Sequence, residues 1–314
     1  MSAKKKKKSG NKALITLLLI VMFLFCVGMS LYPVISSWYS EQVHSEIQTK
    51  YEEVIAENDT SELDAIRQAA VEYNERLYNG QINLLDVESD GYFDQLLAPG
   101  TNVMCYVRIP CIDVRLPVYH GIGEDALQIG AGHFPQSSLP VGGVNTHAAI
   151  SAHSGMASAE MFSNLELMEI GDIFFVDILG ETLTYEVYAV DKVLPEDINS
   201  IKIERDKDLC TLITCTPYGI NTHRLLVRGT RIETPEMPEE GTDETIPGTA
   251  LHDTGSVRTK NYIKASCIGL GLALVIVLIA VIISKVRGNK HVKQQTRITW
   301  AVKRYGDNNG TDAQ

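Results

Sequence analysis

The chain is short of positive charge: 28 Lys and Arg stand against 39 Asp and Glu, for a formal net charge of −11. A nucleic-acid partner is disfavoured, because phosphate backbones call for a basic footprint. Much of the basic charge lies near the ends, as Lys4 to Lys8 with Lys12, and as Lys285, Arg287, Lys290 and Lys293. The stretch between is therefore more acidic than the net figure implies. Two runs lack charge altogether, residues 13–35 (ALITLLLIVMFLFCVGMSLYPVI) and residues 265–284 (ASCIGLGLALVIVLIAVIIS). At about 1.5 Å per residue each is long enough for a hydrocarbon core of about 30 Å. No convincing small-x-small cleavage site precedes Trp38. The first run also exceeds the roughly 7–15 apolar residues of a secretory signal, so it reads as an uncleaved anchor.

The basic clusters sit on the terminal side of each run, which by the positive-inside rule puts both termini in the cytoplasm and roughly 40–260 outside. The expected organisation is a basic cytoplasmic N-terminus (1–12), a transmembrane helix (13–35), the external part, a second transmembrane helix (265–284) and a cytoplasmic tail (285–314).

Cysteine is sparse. Of six, Cys26 and Cys267 fall in the uncharged runs, leaving Cys105, Cys111, Cys210 and Cys215 outside. Cys105 and Cys111 share a face of a regular strand but lie too far apart along it to bridge. Buried free thiols at 105, 111 and 210 are the simpler expectation, since buried cysteine behaves as a small hydrophobe. Metal patterns are missing as well: His147 and His153 lie close in sequence, but no Cys, Asp or Glu completes a recognisable ligand set, so neither metal nor cofactor is expected.

Apolar spacing marks two helices in the external part, Val43, Ile47, Tyr51 and Val54 on the first and Leu63, Ile66, Ala70, Tyr73 and Leu77 on the second. Asn58 to Ser61 separates them, with Ser61 and Asp64 as a capping box. These helices (40–78) read as a membrane-proximal stalk packed on its own domain. Residues 79–100 are acidic, punctuated by glycine and aperiodic, a long loop of the kind that is often functional.

From 101 to 232 the pattern is short strands with brief turns: Met104 to Ile109, Cys111 to Val118, Ala148 to Ala152, Asp172 to Ile178, Thr182 to Val193, Leu209 to Thr214 and Leu225 to Val227, with a short helix at Glu124 to Ile129. Such a succession implies a closed or nearly closed barrel rather than a βαβ sheet. Residues 233–260, rich in Pro, Glu, Thr and Gly, read as a linker to the second membrane run.

The chemistry concentrates in LCTLITCTPYGINTHRLLVRG, residues 209–229. A strand delivers Cys215, a turn follows through Thr216-Pro217-Tyr218-Gly219, and the next strand begins just after Arg224. The thiol and the guanidinium thus stand at facing ends of adjacent strands. A thiolate attacks carbonyl carbon, and a guanidinium donates hydrogen bonds to the oxyanion that forms. A proton carrier is also needed, and His153, closing an earlier strand in ISAHSG, is the candidate; His120, His133 and His147 read as structural. A cysteine after the histidine is the reverse of the papain-like order.

The string TLITCTPYGINTHRLLVRG, with ISAHSG before it and VRIPCIDVRLPVYHG earlier, resembles the sortases, most closely the pilus-assembling class C branch of Gram-positive bacteria. The resemblance covers about 80–232. It implies an eight-stranded sortase barrel; with the elements read above, the expected fold is mainly β with short helices, behind an N-terminal helical segment and between two transmembrane helices. It implies a cysteine transpeptidase that cuts an LPxTG-like sorting signal between Thr and Gly and passes the acyl group to a pilin lysine. Cys215 would be the nucleophile, His153 the general acid and base, and Arg224 the oxyanion group. Loop 79–100 resembles the family's lid, with Asp86 the nearest match to its aspartate and Asp90 and Tyr92 as rivals; Val87 stands where the family has proline. Anchoring of surface proteins to a cell-wall precursor is the alternative transfer. A non-catalytic membrane-anchored binding module, with Cys215 a mere buried thiol, is the alternative of another class.

Overall fold

The structure, a computed structural model, describes residues 10–154, 156, 159–197, 199–235 and 246–252, with 266–269, 271–278, 282 and 300. The start of the basic N-terminus, residues 236–245 of the expected linker, the junction 253–265 and all of the expected tail but residue 300 lie outside the described residues. The chain forms two compact units, Met1–Tyr32 with Arg258–Gln314, and Pro33–Val257.

Helix α1 (Gly10–Glu57) runs unbroken through both the first uncharged run and the first amphipathic segment, so no helix starts afresh at Ser40. In its apolar part large side chains including Leu18, Leu24 and Phe25 are exposed. Among the described residues no helix is long and apolar enough to cross a membrane, so the two expected spans stand on sequence alone.

In the second unit α1 meets the barrel through Tyr51, whose ring lies 5.3 Å from that of Tyr106 and whose hydroxyl donates to the Met104 carbonyl and accepts from the Leu179 N–H. Helix α2 (Thr60–Tyr78) is capped by Asp59, not by the expected Ser61–Asp64 box. Asp59 is the last extended residue, and its carboxylate accepts from the Ser61 N–H at 3.1 Å, leaving Ser61 inside the first turn. The buried stripe Leu63, Ala70, Tyr73 and Leu77 joins the barrel's core. Asn74 fastens it further, donating to the Leu139 carbonyl and accepting from the Leu139 N–H.

Eight strands close a barrel in the order β1-β2-β3-β4-β7-β8-β6-β5. They are β1 (Cys105–Ile109), β2 (Val114–His120), β3 (Ala131–His133), β4 (Thr146–Ser151), β5 (Ile173–Ile178), β6 (Glu181–Val193), β7 (Asp208–Thr216) and β8 (His223–Ile232), with α3 (Glu124–Leu127) between β2 and β3. The pairs β2/β3 and β4/β7 are parallel, and β1 closes on β5 antiparallel. A strand starting at Cys111 is not formed: Pro110 to Ile112 make a 3-10 turn and Asp113 adopts φ 52°, because proline offers no ladder N–H. Strand β3 was not expected, as three residues are too few to show a period.

Part of the segment read as linker returns to the barrel. Its Gly248 carbonyl accepts from the Ile173 N–H at 2.8 Å, and the His252 N–H donates to the Cys111 carbonyl at 2.6 Å. These bonds extend the edge where β5 begins, and they need no apolar anchor that composition would reveal.

Candidate active site

Strand β4 runs parallel to β7 with Ser151 opposite Ile213, and the ladder continues as Ala152 N–H donates to the Ile213 carbonyl at 3.1 Å. The Thr214 hydroxyl locks the same junction by donating to the Ala152 carbonyl at 2.8 Å. His153 follows β4 by two residues, and β4 is paired with the strand that carries Cys215. On the other side β7 and β8 are antiparallel with Cys215 directly opposite Arg224. Cys215 and Arg224 thus face each other across one rung of the ladder, and β4, paired with β7, leads into His153.

The register arises from the sequence. Alternation along β7 buries Cys210, Leu212, Thr214 and Thr216, leaving Ile213 and Cys215 on the half-exposed face. The turn after Thr216 is tightened by N–H groups of Ile220 and Asn221 donating to the Pro217 carbonyl, which fixes where β8 restarts. Arg224 donates through Nη1 to the carbonyls of Asn221 and His223, so the turn holds the guanidinium stem while its other N–H groups stay open among the described residues. The His153 carbonyl accepts from Phe162 N–H at 3.0 Å, fixing the backbone just past β4. Glu166 accepts from the Thr216 hydroxyl next to Cys215, a support no sequence signal announced.

Cys105, Cys111, Cys210 and Cys215 form no disulfide; the first three are buried while Cys215 is half-buried. Burial pushes the Cys105 and Cys210 thiols up, and burial with the Asp172 carboxylate pushes Cys111 up to about 12. Of these four cysteines, Cys215 alone is partly exposed.

The other histidines are occupied. His147 bonds the Lys202 carbonyl and the Thr211 hydroxyl, and burial lowers its pKa. His133 is buried between Tyr92 and Ser138, and that burial lowers it to about 4. His120 bonds the Gln95 carbonyl and is lowered by burial too.

Loop 79–100 is anchored by Tyr92, whose hydroxyl meets His133 Nδ1 at 2.9 Å and accepts from Gly121 N–H. Asp90 accepts from Arg76 and from the Asn83 N–H. Asp86 is exposed and, among the described residues, bonds only Asn83 and Ser89 within its own turn, beside a Leu85 that is 98% exposed. It shares no bond with Cys215, His153 or Arg224.

A sortase domain model matches residues 107–232. Among solved structures, sortase C1 from Streptococcus agalactiae is 40% identical, with 60% of this chain and 98% of that one covered and a TM-score of 0.57. The chain belongs to the sortase family. Sortase C of Streptococcus pneumoniae, whose structure is described as bearing on pilin substrate specificity, is also 40% identical, covering 60% and 97% at a TM-score of 0.54. Clostridium perfringens sortase C, solved with the C-terminal cell wall sorting motif, is 38% identical, covering 59% and 97% at 0.52. Its structural relatives are thus class C sortases, the branch the sequence resembles. Sortase A of Streptococcus agalactiae serotype III (strain NEM316) is 31% identical over 134 residues, 42% of this chain. The chain spans 53% of that relative and 62% of Sortase D from Bacillus subtilis (strain 168).

Proposed function

We propose that this sortase is a cysteine transpeptidase joining pilin subunits through an LPxTG-like sorting signal. The observation that carries the reading is the strand register, Ser151 opposite Ile213 and Cys215 opposite Arg224. The likeness to sortase C structures concerned with pilin substrates and with a sorting motif supports the substrate class.

The Cys215 thiolate attacks the Thr carbonyl carbon of the signal, and the open N–H groups of Arg224 stabilise the tetrahedral oxyanion. As the Thr–Gly C–N bond breaks, imidazolium His153 gives its proton to the leaving glycine amine, and a thioester remains on Cys215. A pilin lysine amine then attacks the thioester and loses its proton to His153. The products are an isopeptide bond and the free thiolate, with the imidazolium restored.

The uncharged runs 13–35 and 265–284 would hold the enzyme in the cell membrane with the barrel outside, a reading supported by their length and flanking charge. Loop 79–100 would border the groove as a lid, with Asp86 on its projecting turn. Likeness to proteins named Sortase A supports a second reading, transfer to a cell-wall precursor, which uses the same three residues and another amine. Competition between a lysine-bearing pilin fragment and a peptidoglycan stem amine, read by product mass, separates the two. Predominant isopeptide product supports pilus assembly; exclusive transfer to the stem amine contradicts it.

A further inference from the structure

Away from Cys215, three side chains far apart in sequence converge where the returning segment 246–252 meets the barrel. Cys111 is buried in the 3-10 turn between β1 and β2, Asp172 immediately precedes β5, and His252 comes from beyond the barrel. Their ligand atoms, a thiol sulfur, a carboxylate oxygen and an imidazole nitrogen, lie within 4.8 Å of one another. From this convergence we infer a binding site for one borderline-soft divalent cation, zinc in the first instance, formed by Cys111, Asp172 and His252.

The donor set selects the ion class. Sulfur and nitrogen donors suit zinc and its transition-metal neighbours, whereas calcium and magnesium take six or more oxygens. Around a tetrahedral zinc with bonds of about 2.0–2.3 Å, ligand atoms sit about 3.3–3.8 Å apart, leaving a fourth position for water. To take the ion, the His252 Nε2 to Asp172 Oδ2 contact at 2.8 Å opens by about half an ångström, and no pair of these atoms, all within 4.8 Å, has to close by more than about 1.5 Å.

The surroundings already orient the ligands. The Glu169 N–H donates to the Asp172 carboxylate at 2.8 Å, and the His252 N–H donates to the Cys111 carbonyl at 2.6 Å, fixing two ligating residues by one backbone bond. An entry path exists because the His252 side chain is 29% exposed and that of Asp172 11%. On binding, the Cys111 S–H bond breaks and its proton leaves to solvent. His252 turns its lone pair at Nε2 to the ion and keeps one proton on Nδ1. The bound ion would clamp the segment after β8 onto the strand that opens β5.

The test uses the full chain in detergent with Cys215→Ala, so that the half-buried thiol cannot bind metal, and it does not depend on acyl transfer. After chelator treatment, zinc is titrated against a chromophoric competitor and cobalt is added as a spectroscopic probe. Expected are one zinc per chain, a cobalt–thiolate charge-transfer band, and a zinc-dependent rise in Tm. Cys111→Ser should remove the band, and His252→Gln should weaken zinc by about tenfold or more. If Cys111→Ser does not fold, the band in the parent and the affinity of His252→Gln decide alone. Absence of stoichiometric zinc, or zinc and cobalt signals unchanged in both variants, would overturn the site.

Discussion

Cys215 and Arg224 face each other across one rung of an antiparallel ladder, so they are separable by chemistry without moving the backbone. Cys215→Ala should abolish transpeptidation while leaving the melting temperature unchanged, because the side chain is half-buried and makes no hydrogen bond among the described residues. Arg224→Ala should lower the turnover rate by about 10²–10³, the usual cost of losing one oxyanion donor group, and Arg224→Lys should recover part of it. A single-turnover assay with a sorting-signal peptide checks both. This pair is legible in the sequence because a strand, a proline-glycine turn and a second strand encode their own register. His153 is harder to find, since it follows β4, whose parallel pairing with β7 local pattern does not contain. The lid candidates were ambiguous for a related reason. Asp86, Asp90 and Tyr92 lie within one short acidic stretch, and only the fold separates Asp90 on Arg76 and Tyr92 on His133 from an exposed Asp86.

Among the elements, β8 owes its path to Gly229, which lies opposite Cys210 on one side and Val187 on the other. A Cβ there would come within 2.6 Å of the Phe174 ring, which stacks on Tyr185 with centroids 5.5 Å apart. Gly229→Ala should destabilise the barrel by about 1–3 kcal/mol, read by chemical denaturation, because an overpacked core must shift rings or backbone. The anchor of loop 79–100 carries a pH dependence. His133 is held at about 4 by burial, against 6.5 when unfolded, so the unfolded chain binds the extra proton first as pH falls. Its contribution is complete above the unfolded value and is lost as pH drops from about 6.5 to about 4, a change of about 3 kcal/mol. His120 and His147, lowered by burial as well, act in the same direction. The melting temperature should fall between pH 7 and pH 4 accordingly, and His133→Gln should flatten that fall. Most strands were readable as short strand-like runs between turns; β3 was not, because its three residues are defined by neighbours on both sides rather than by any pattern of their own.

At the scale of the molecule, the barrel was expected from the succession of short strands, and its eight-stranded sortase form from the family resemblance rather than from spacing. What composition hid was the return of 246–252, since a Pro- and Glu-rich stretch reads as solvated while its backbone pairs with Ile173 and Cys111. A chain ended at residue 235 should lose those bonds and melt several degrees lower, as about 1–2 kcal/mol is worth about 2–4 °C per kcal/mol in a domain of this size. The Cys111, Asp172 and His252 cluster was invisible for the same reason: its members come from three separate segments, and no spacing rule joins them.

The central claim is that Cys215 forms a thioester with a sorting-signal peptide. The most direct measurement is the intact mass of the full chain after incubation with an LPxTG-containing peptide, beside Cys215→Ala, repeated with residues 79–100 deleted to remove any closed lid. An acyl adduct of the cleaved peptide on the native chain, absent from Cys215→Ala, is the expected result. A folded, loop-deleted chain that acquires no adduct, or one that acquires it equally without Cys215, would contradict the account.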